Sequence, residues 1–296
     1  MTIARKDIYD PDEYGVFHCF SRCVRRAFLC GTDEYSGKNY DHRKQWVEEL
    51  LEQAAACYVI DVLGYSVLDN HFHVLLRNRP DLRKKLSPTA VARRWLLLHP
   101  KRRDKHGQAC EPNPQEIRAI TRDKKRVREL RRRLGNISWL MGYVKERLAR
   151  RANKEDETRG TFFEKRFEMR RLETDNAVLA CAIYIDLNPI RAGVASTPET
   201  SQHTSAYRRI ESLRARRSGK RSKASQTDRW LAPICARDLP QSQRFAEQGA
   251  RASDDAGLAM TVEQYLELLD WSGRQLKVGK RGKIPDAWPR SWSGSA

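Results

Sequence analysis

The stretch Leu63-Gly64-Tyr65-Ser66-Val67-Leu68-Asp69-Asn70-His71-Phe72-His73-Val74-Leu75-Leu76 limits what this chain can fold into more than any other. Runs rich in Val, Leu and Tyr flank the short turn Asp69-Asn70, so it reads as two β-strands joined as a hairpin. Strands alternate their faces with period two, which sends His71 and His73 to one side and Phe72 and Val74 to the other. Two neutral imidazoles side by side on a stiff strand can hold a divalent cation and leave room for a third ligand and a substrate oxygen. Taken alone, such a pair is more often solvated or hydrogen-bonded than metal-bound.

A second constellation lies at Asn176 to Gly193. Thr174 or Asp175 can cap a helix there, apolar residues recur at helical spacing, and Pro189 opposes continuation beyond Asn188. The spacing predicts a helix ending at Asn188-Pro189. Tyr184 and Asn188, four residues apart, then share one helical face. Each taken singly has a plain structural explanation, Tyr184 as a core residue and Asn188 as a helix stop.

Together the two elements resemble the single-tyrosine HUH transposases, most closely the branch that includes the REP-associated tyrosine transposases. Asn70-His71-Phe72-His73 corresponds to the family's histidine strand, and Tyr184-Ile185-Asp186-Leu187-Asn188-Pro189-Ile190-Arg191-Ala192-Gly193 to its tyrosine helix. Phe17-His18-Cys19-Phe20-Ser21-Arg22 is similar to the first strand. Gly160-Thr161-Phe162-Phe163-Glu164-Lys165-Arg166-Phe167 is similar to the segment before the tyrosine helix. One departure is visible: Asp69 stands where the family often has proline. The resemblance implies that Tyr184 is the nucleophile, that His71, His73 and Asn188 hold Mg²⁺ or Mn²⁺, and that the protein is a homodimer recognising single-stranded or hairpin DNA.

Charge agrees with such a partner. Lys and Arg number 57 against 38 Asp and Glu, a formal +19, and an excess of that size points to a polyanion. No apolar run reaches bilayer-spanning length, and Met1 to Asp7 lacks an apolar signal core, so a cytoplasmic protein without membrane association is expected. The seven cysteines are too few and scattered for a disulfide framework, and the spacing of Cys19, Cys23 and Cys30 matches no common zinc pattern. Buried thiols are expected.

Residues 1–15 read as an N-terminal arm and 16–195 as the main domain, with a basic insert at 80–134, a basic linker at 196–236 and a C-terminal extension at 237–296. Val16 to Val24 patterns as a strand, and His18 on it could approach the metal site but is expected rather to face solvent or bond to backbone. Trp46, Val47, Leu50, Leu51 and Ala54 mark an amphipathic helix within residues 38–57. Strand, helix, two strands and helix is the order of an α+β fold with a ferredoxin-like antiparallel sheet and helices on one face. Within the insert, runs such as Lys101-Arg102-Arg103 and Arg131-Arg132-Arg133 read as either solvated helical faces or a phosphate-contacting surface, and the overall charge favours the second. Asn136 or Ser138 caps the next helix. Between Thr161 and Leu172, Phe162, Phe163 and Phe167 alternate with Lys165, Arg166, Arg170 and Arg171, the pattern of a surface that stacks bases and neutralises phosphates, or of a strand with a buried aromatic face. Arg191 is a further candidate phosphate contact. Farther on, Thr261 opens a capping-box helix of unassigned role.

The chemistry so implied is attack by Tyr184 on a phosphodiester of single-stranded DNA, giving a 5′-phosphotyrosine and a free 3′-hydroxyl. A phenol ionising near ~10 needs neighbouring positive charge to act at neutral pH. Two other readings stay open: a DNA-binding protein that has lost turnover, such as a domesticated repressor, and a metal-dependent nuclease that uses water.

Overall fold

The computed structural model describes residues 8–24, 30–33, 37–218, 228–234, 257–258, 260–275 and 279–288. Residues 1–7 of the arm, 219–227 of the basic linker and 235–256 lie outside the described residues. In chain order the elements are β1 (Gly15–Arg22), α1 (His42–Cys57), β2 (Ile60–Val67), β3 (His71–Asn78), α2 (Pro80–Lys85), α3 (Pro88–Leu98) and α4 (Pro114–Thr121). There follow α5 (Lys124–Leu134), α6 (Ile137–Glu155), β4 (Glu168–Leu172), α7 (Asp175–Asp186), α8 (Asn188–Arg191), α9 (Ser205–Arg217) and α10 (Val262–Arg274).

The strands form one antiparallel sheet in the order β2-β3-β1-β4, an α+β architecture. Its hairpin closes where the sequence indicates: the Leu68 N–H donates to the His71 carbonyl at 2.9 Å across Asp69-Asn70. Asp69 needs no proline's rigidity, because its carboxylate pairs with Lys44 at 3.0 Å and its carbonyl accepts from the Cys30 N–H at 2.8 Å. A bulge interrupts the β2–β3 register between Val62 and Gly64. An added Cβ on Gly64 would stand 3.0 Å from the Ser205 hydroxyl, which there accepts the Tyr65 N–H at 3.1 Å, so glycine is what admits this contact.

Helices cover both faces of the sheet, which corrects the expectation of a single helical layer. Phe17, Cys19, Tyr65, Phe72, Val74 and Leu76 pack in a core with residues of α1 and α6. Leu63 and Leu75 look the other way and pack with α7, α9 and α10. All eight residues of β2 are buried, and a strand apolar on both sides requires cover on both. The stretch expected as a linker supplies part of that cover. Its helix α9 buries Ala206, Ile210 and Leu213, and the Ala232 N–H donates to the Val62 carbonyl at 2.8 Å.

The basic insert is a set of short helices packed on α1 and α6. Pro88 and Pro114 sit in first turns, where the missing N–H costs nothing, and Asn113 with Glu116 forms a capping box on α4. Trp95 and Leu98 of α3 and Leu130 and Leu134 of α5 are buried. Many of the insert's cations are already engaged. Arg94 donates to the Ala56 and Cys57 carbonyls at the end of α1, Arg83 pairs with Asp12, and Arg131 donates to the Leu86 carbonyl at 2.9 Å. Lys84, Lys85, Lys124, Lys125, Arg128 and Arg132 are exposed. Among the described residues, no helix is long and apolar enough to cross a membrane. Cys19, Cys23 and Cys30 are buried thiols outside any disulfide, as expected, and burial pushes Cys23 up to about 12.

Candidate active site

Period-two alternation and strand register assemble one side of the site. Residues paired across antiparallel strands share a face, and Phe20 pairs with His73, Arg22 with His71, His18 with Leu75, Glu168 with Phe20 and Arg170 with His18. His18, Phe20, Arg22, His71, His73, Glu168 and Arg170 therefore converge on one face of the sheet. Helix α7, started by the Thr174 side chain accepting the Ala177 N–H at 3.2 Å, lies against that face and brings Tyr184 to it. Tyr184 is 42% exposed. Its ring lies 5.6 Å from that of His73 and 6.2 Å from that of His18, both edge-on.

These side chains line a cavity of about 580 Å³ that also takes in Asn188, Arg191 and Lys280. The sequence-derived set Tyr184, His71, His73 and Asn188 is thus brought together, along with Arg170 and Arg191. Helix α7 stops at Asp186, and Asn188 opens the separate turn α8 with Pro189 in its first turn, which corrects the single helix expected to run to Asn188. The break spans only Leu187, so Asn188 still reaches the cavity lined by Tyr184.

Hydrogen bonds set the orientation of the two histidines. Nδ1 of His71 lies 2.6 Å from the side-chain oxygen of Asn70, which only accepts, so Nδ1 carries the proton and Nε2 is left as a lone pair. Nδ1 of His73 lies 2.9 Å from Nε2 of His18, and Nε2 of His73 is buried without a partner. Burial lowers His18 and His71 to about 4 and His73 to about 2, with the His18 and His71 imidazoles adding to the effect at His73. All three are neutral at physiological pH. The donor chemistry fits a divalent cation: two neutral imidazoles on one strand face, one of them with an orphaned nitrogen, beside an amide. Among the described residues no group of three or more His, Cys, Asp or Glu side chains is arranged to hold a metal.

Other sequence expectations fare differently. His18 faces the site rather than solvent or backbone. Phe162, Phe163 and Phe167 are buried in the core beneath the opposite face of the sheet, so they offer no stacking surface, and the buried-aromatic alternative holds. Lys165 pairs with Glu168 at 2.8 Å, and Arg166 is exposed, but neither lines the cavity. Arg191 is committed to the C-terminal extension: its guanidinium donates to the carbonyls of Ser272 and Gln275 at 2.7 Å and of Gly282 at 3.4 Å.

Glu168 and Arg22 belong to the site without having been singled out in the sequence, and period two along β4 and β1 is the signal that carries them. Lys280 had no such signal, since it arrives from the extension. Arg22, Arg170, Arg191 and Lys280 set four cations around the cavity against the single carboxylate of Glu168. Asp186, two residues from Tyr184, is fully buried and accepts from the Ser205 hydroxyl and the Tyr265 phenol at 2.6 Å each and from the Ala206 N–H at 3.0 Å. It joins α7, α9 and α10.

No family model matches the chain, and no curated protein matches it. A solved structure of a REP-associated tyrosine transposase bound to a REP hairpin is similar to it with 10% identity and a TM-score of 0.41, over 71% of this chain and 86% of that one. Likeness at that level fixes neither fold nor function. What bears on function is the side-chain constellation.

Proposed function

We propose that this chain is a DNA transposase of the single-tyrosine HUH kind, an enzyme that nicks and rejoins single-stranded DNA through a covalent tyrosine ester. The observation that carries the reading is a half-exposed phenol, Tyr184, ringed by neutral histidines in a cavity whose rim is cationic. The antiparallel order β2-β3-β1-β4, built from strand, helix, strand, strand, helix and strand, supports a ferredoxin-like sheet beneath it.

In this mechanism the Tyr184 oxygen attacks the scissile phosphorus. A P–O bond to tyrosine forms, the P–O3′ bond breaks, the phenolic proton is released and the 3′ oxygen leaves as a hydroxyl after taking up a proton. The ester preserves the energy of the phosphodiester, so the reverse attack by another 3′-hydroxyl rejoins DNA. Arg22, Arg170 and Lys280 attract and orient the strand, while Arg191 adds positive field from a fixed position. His71, His73 and Asn188 would hold Mg²⁺ or Mn²⁺, which when bound supplies electrophilic stabilisation of a non-bridging phosphate oxygen. We further infer a DNA hairpin or single strand as substrate and a homodimer, both on resemblance, and a cytoplasmic location from the sequence's lack of a bilayer-spanning apolar run. The exposed lysines and arginines of the insert form a separate phosphate-contacting surface.

Covalent capture tests the reading. Protein and labelled single-stranded oligonucleotides from the DNA flanking its gene are incubated with and without Mn²⁺ and resolved under denaturing conditions. A metal-dependent adduct lost in Tyr184→Phe and in His71→Ala is expected. Cleavage without an adduct would point instead to hydrolysis by water, with Glu168 the carboxylate placed to activate it, and binding without cleavage to a repressor.

A further inference from the structure

We propose that His18 is a positioning residue that presents Nε2 of His73 to a divalent cation. The inference rests on the reading of His71 and His73 as cation ligands. His18 sits on β1, in the pair position beside Leu75, and its Nε2 lies 2.9 Å from Nδ1 of His73. Two neutral imidazoles joined in this way allow two proton arrangements. In one, His18 donates, Nδ1 of His73 accepts, and the proton of His73 is left on Nε2. That atom is buried and meets no acceptor, so this arrangement strands a donor. In the other, Nδ1–H of His73 donates to His18, and Nε2 of His73 becomes a bare lone pair at the cavity wall. The second arrangement leaves no buried donor stranded, and it is the tautomer a metal ligand requires.

Asn70 does the same for His71 from the turn, so each histidine is oriented through Nδ1 by its own partner. The two partners differ in kind. Asn70 is a neighbour in sequence, whereas His18 comes from a strand more than fifty residues earlier and acts only once β1 and β3 have paired. His18 makes no claim to be a third ligand, because its Nε2 is occupied by His73. For Nε2 to accept, its own proton must lie on Nδ1, which sets the tautomers of both rings together.

The test uses full-length wild type, His18→Leu and His18→Gln, the glutamine oxygen replacing the acceptor Nε2. Two-bond nitrogen–proton NMR of imidazole-labelled protein, with the His73 signals assigned by their loss in His73→Gln, reads the tautomer without metal. Mn²⁺ titration followed by electron paramagnetic resonance reads affinity without turnover. The expected result is an Nδ1–H tautomer at His73 in wild type, with His18→Leu losing about 10- to 100-fold in Mn²⁺ affinity and His18→Gln recovering to within a few-fold. Circular dichroism identifies a leucine variant that has failed to fold, and a folded glutamine variant with Nδ1–H retained then still decides the matter. An Nε2–H tautomer in wild type, or unchanged Mn²⁺ affinity in folded His18→Leu, overturns the role of His18. Wild type that binds no Mn²⁺ overturns the cation reading beneath it, even where the tautomer is as expected.

Discussion

At the scale of single residues, Glu48 shows how one carboxylate can hold parts of the fold that local sequence does not connect. It lies on α1 and accepts hydrogen bonds from His203 and Arg208 at 2.8 Å and from the Tyr65 phenol. Burial pushes its carboxyl up, and the bonds from His203, Arg208 and Tyr65 reverse this and hold it below the ordinary carboxylate range. A depressed value means that the folded state favours the ionised form, so the stability it contributes is present above the ordinary value and is lost as pH falls through the folded value. Urea midpoints measured across the acid range are therefore expected to fall for wild type, with a shallower slope for Glu48→Gln. At neutral pH that variant is less stable by about 3 kcal/mol, because Arg208 is left without its charge partner. The candidate site was legible in a similar, partial way. His71 with His73 follows from period two, and Tyr184 near Asn188 from helical spacing. Period two puts His18 and Glu168 each on one face of its strand but does not say which face meets the site, because that depends on a register between strands far apart in the chain. The phenylalanines at 162, 163 and 167 misled because aromatics interleaved with cations look alike whether the aromatic side meets a base or a core.

At the scale of elements, the C-terminal extension is an integral layer. Helix α10 starts at a capping box of Thr261 and Gln264, which sequence announces, but the amphipathic pattern alone does not say what its apolar stripe covers. In the fold Leu266 and Leu269 of α10, with Ile284 beyond its end, share a core with Ile185 of α7, Leu187 of the break and Ile190 of α8. Arg191 fastens the far end, and a Cβ added to Gly282 would stand 2.1 Å from the Ile190 carbonyl oxygen. Arg191→Lys, which cannot reproduce the fork of donors, is expected to cost about 2 kcal/mol and to raise protease cleavage and amide exchange near residues 279–288. Gly282→Ala is expected to produce the same local loosening with the guanidinium intact. Unchanged exchange in both variants would show that the extension is held elsewhere.

At the scale of the whole molecule, a formal charge of +19 predicts affinity for any nucleic acid, so salt dependence separates the cavity from the background. If Arg22, Arg170 and Lys280 each neutralise one phosphate of a single strand, a slope of about −0.7 apiece gives roughly a 20-fold loss of affinity between about 50 and about 200 mM salt. Lys280→Ala is expected to reduce that slope by about 0.7, measured by fluorescence anisotropy, and an unchanged slope would place the strand away from the extension. The coarse fold was readable because hairpin, strand and helix periods are local. The second helical layer was not, since it is made by segments whose patterns name no partner.

The order of the site residues along the chain has a consequence for biosynthesis. His18 emerges first from the ribosome, yet β1 lacks its β4 neighbour until residue 172 has been made, and Lys280 arrives more than a hundred residues later. Closing such long loops is slow compared with forming local helices. The growing polypeptide can assemble its helices early, but a nascent chain that already displays Tyr184 still lacks the rim that Lys280 completes. The cavity is therefore complete only after residue 280 has been made and packed, so its floor is assembled well before its cationic rim.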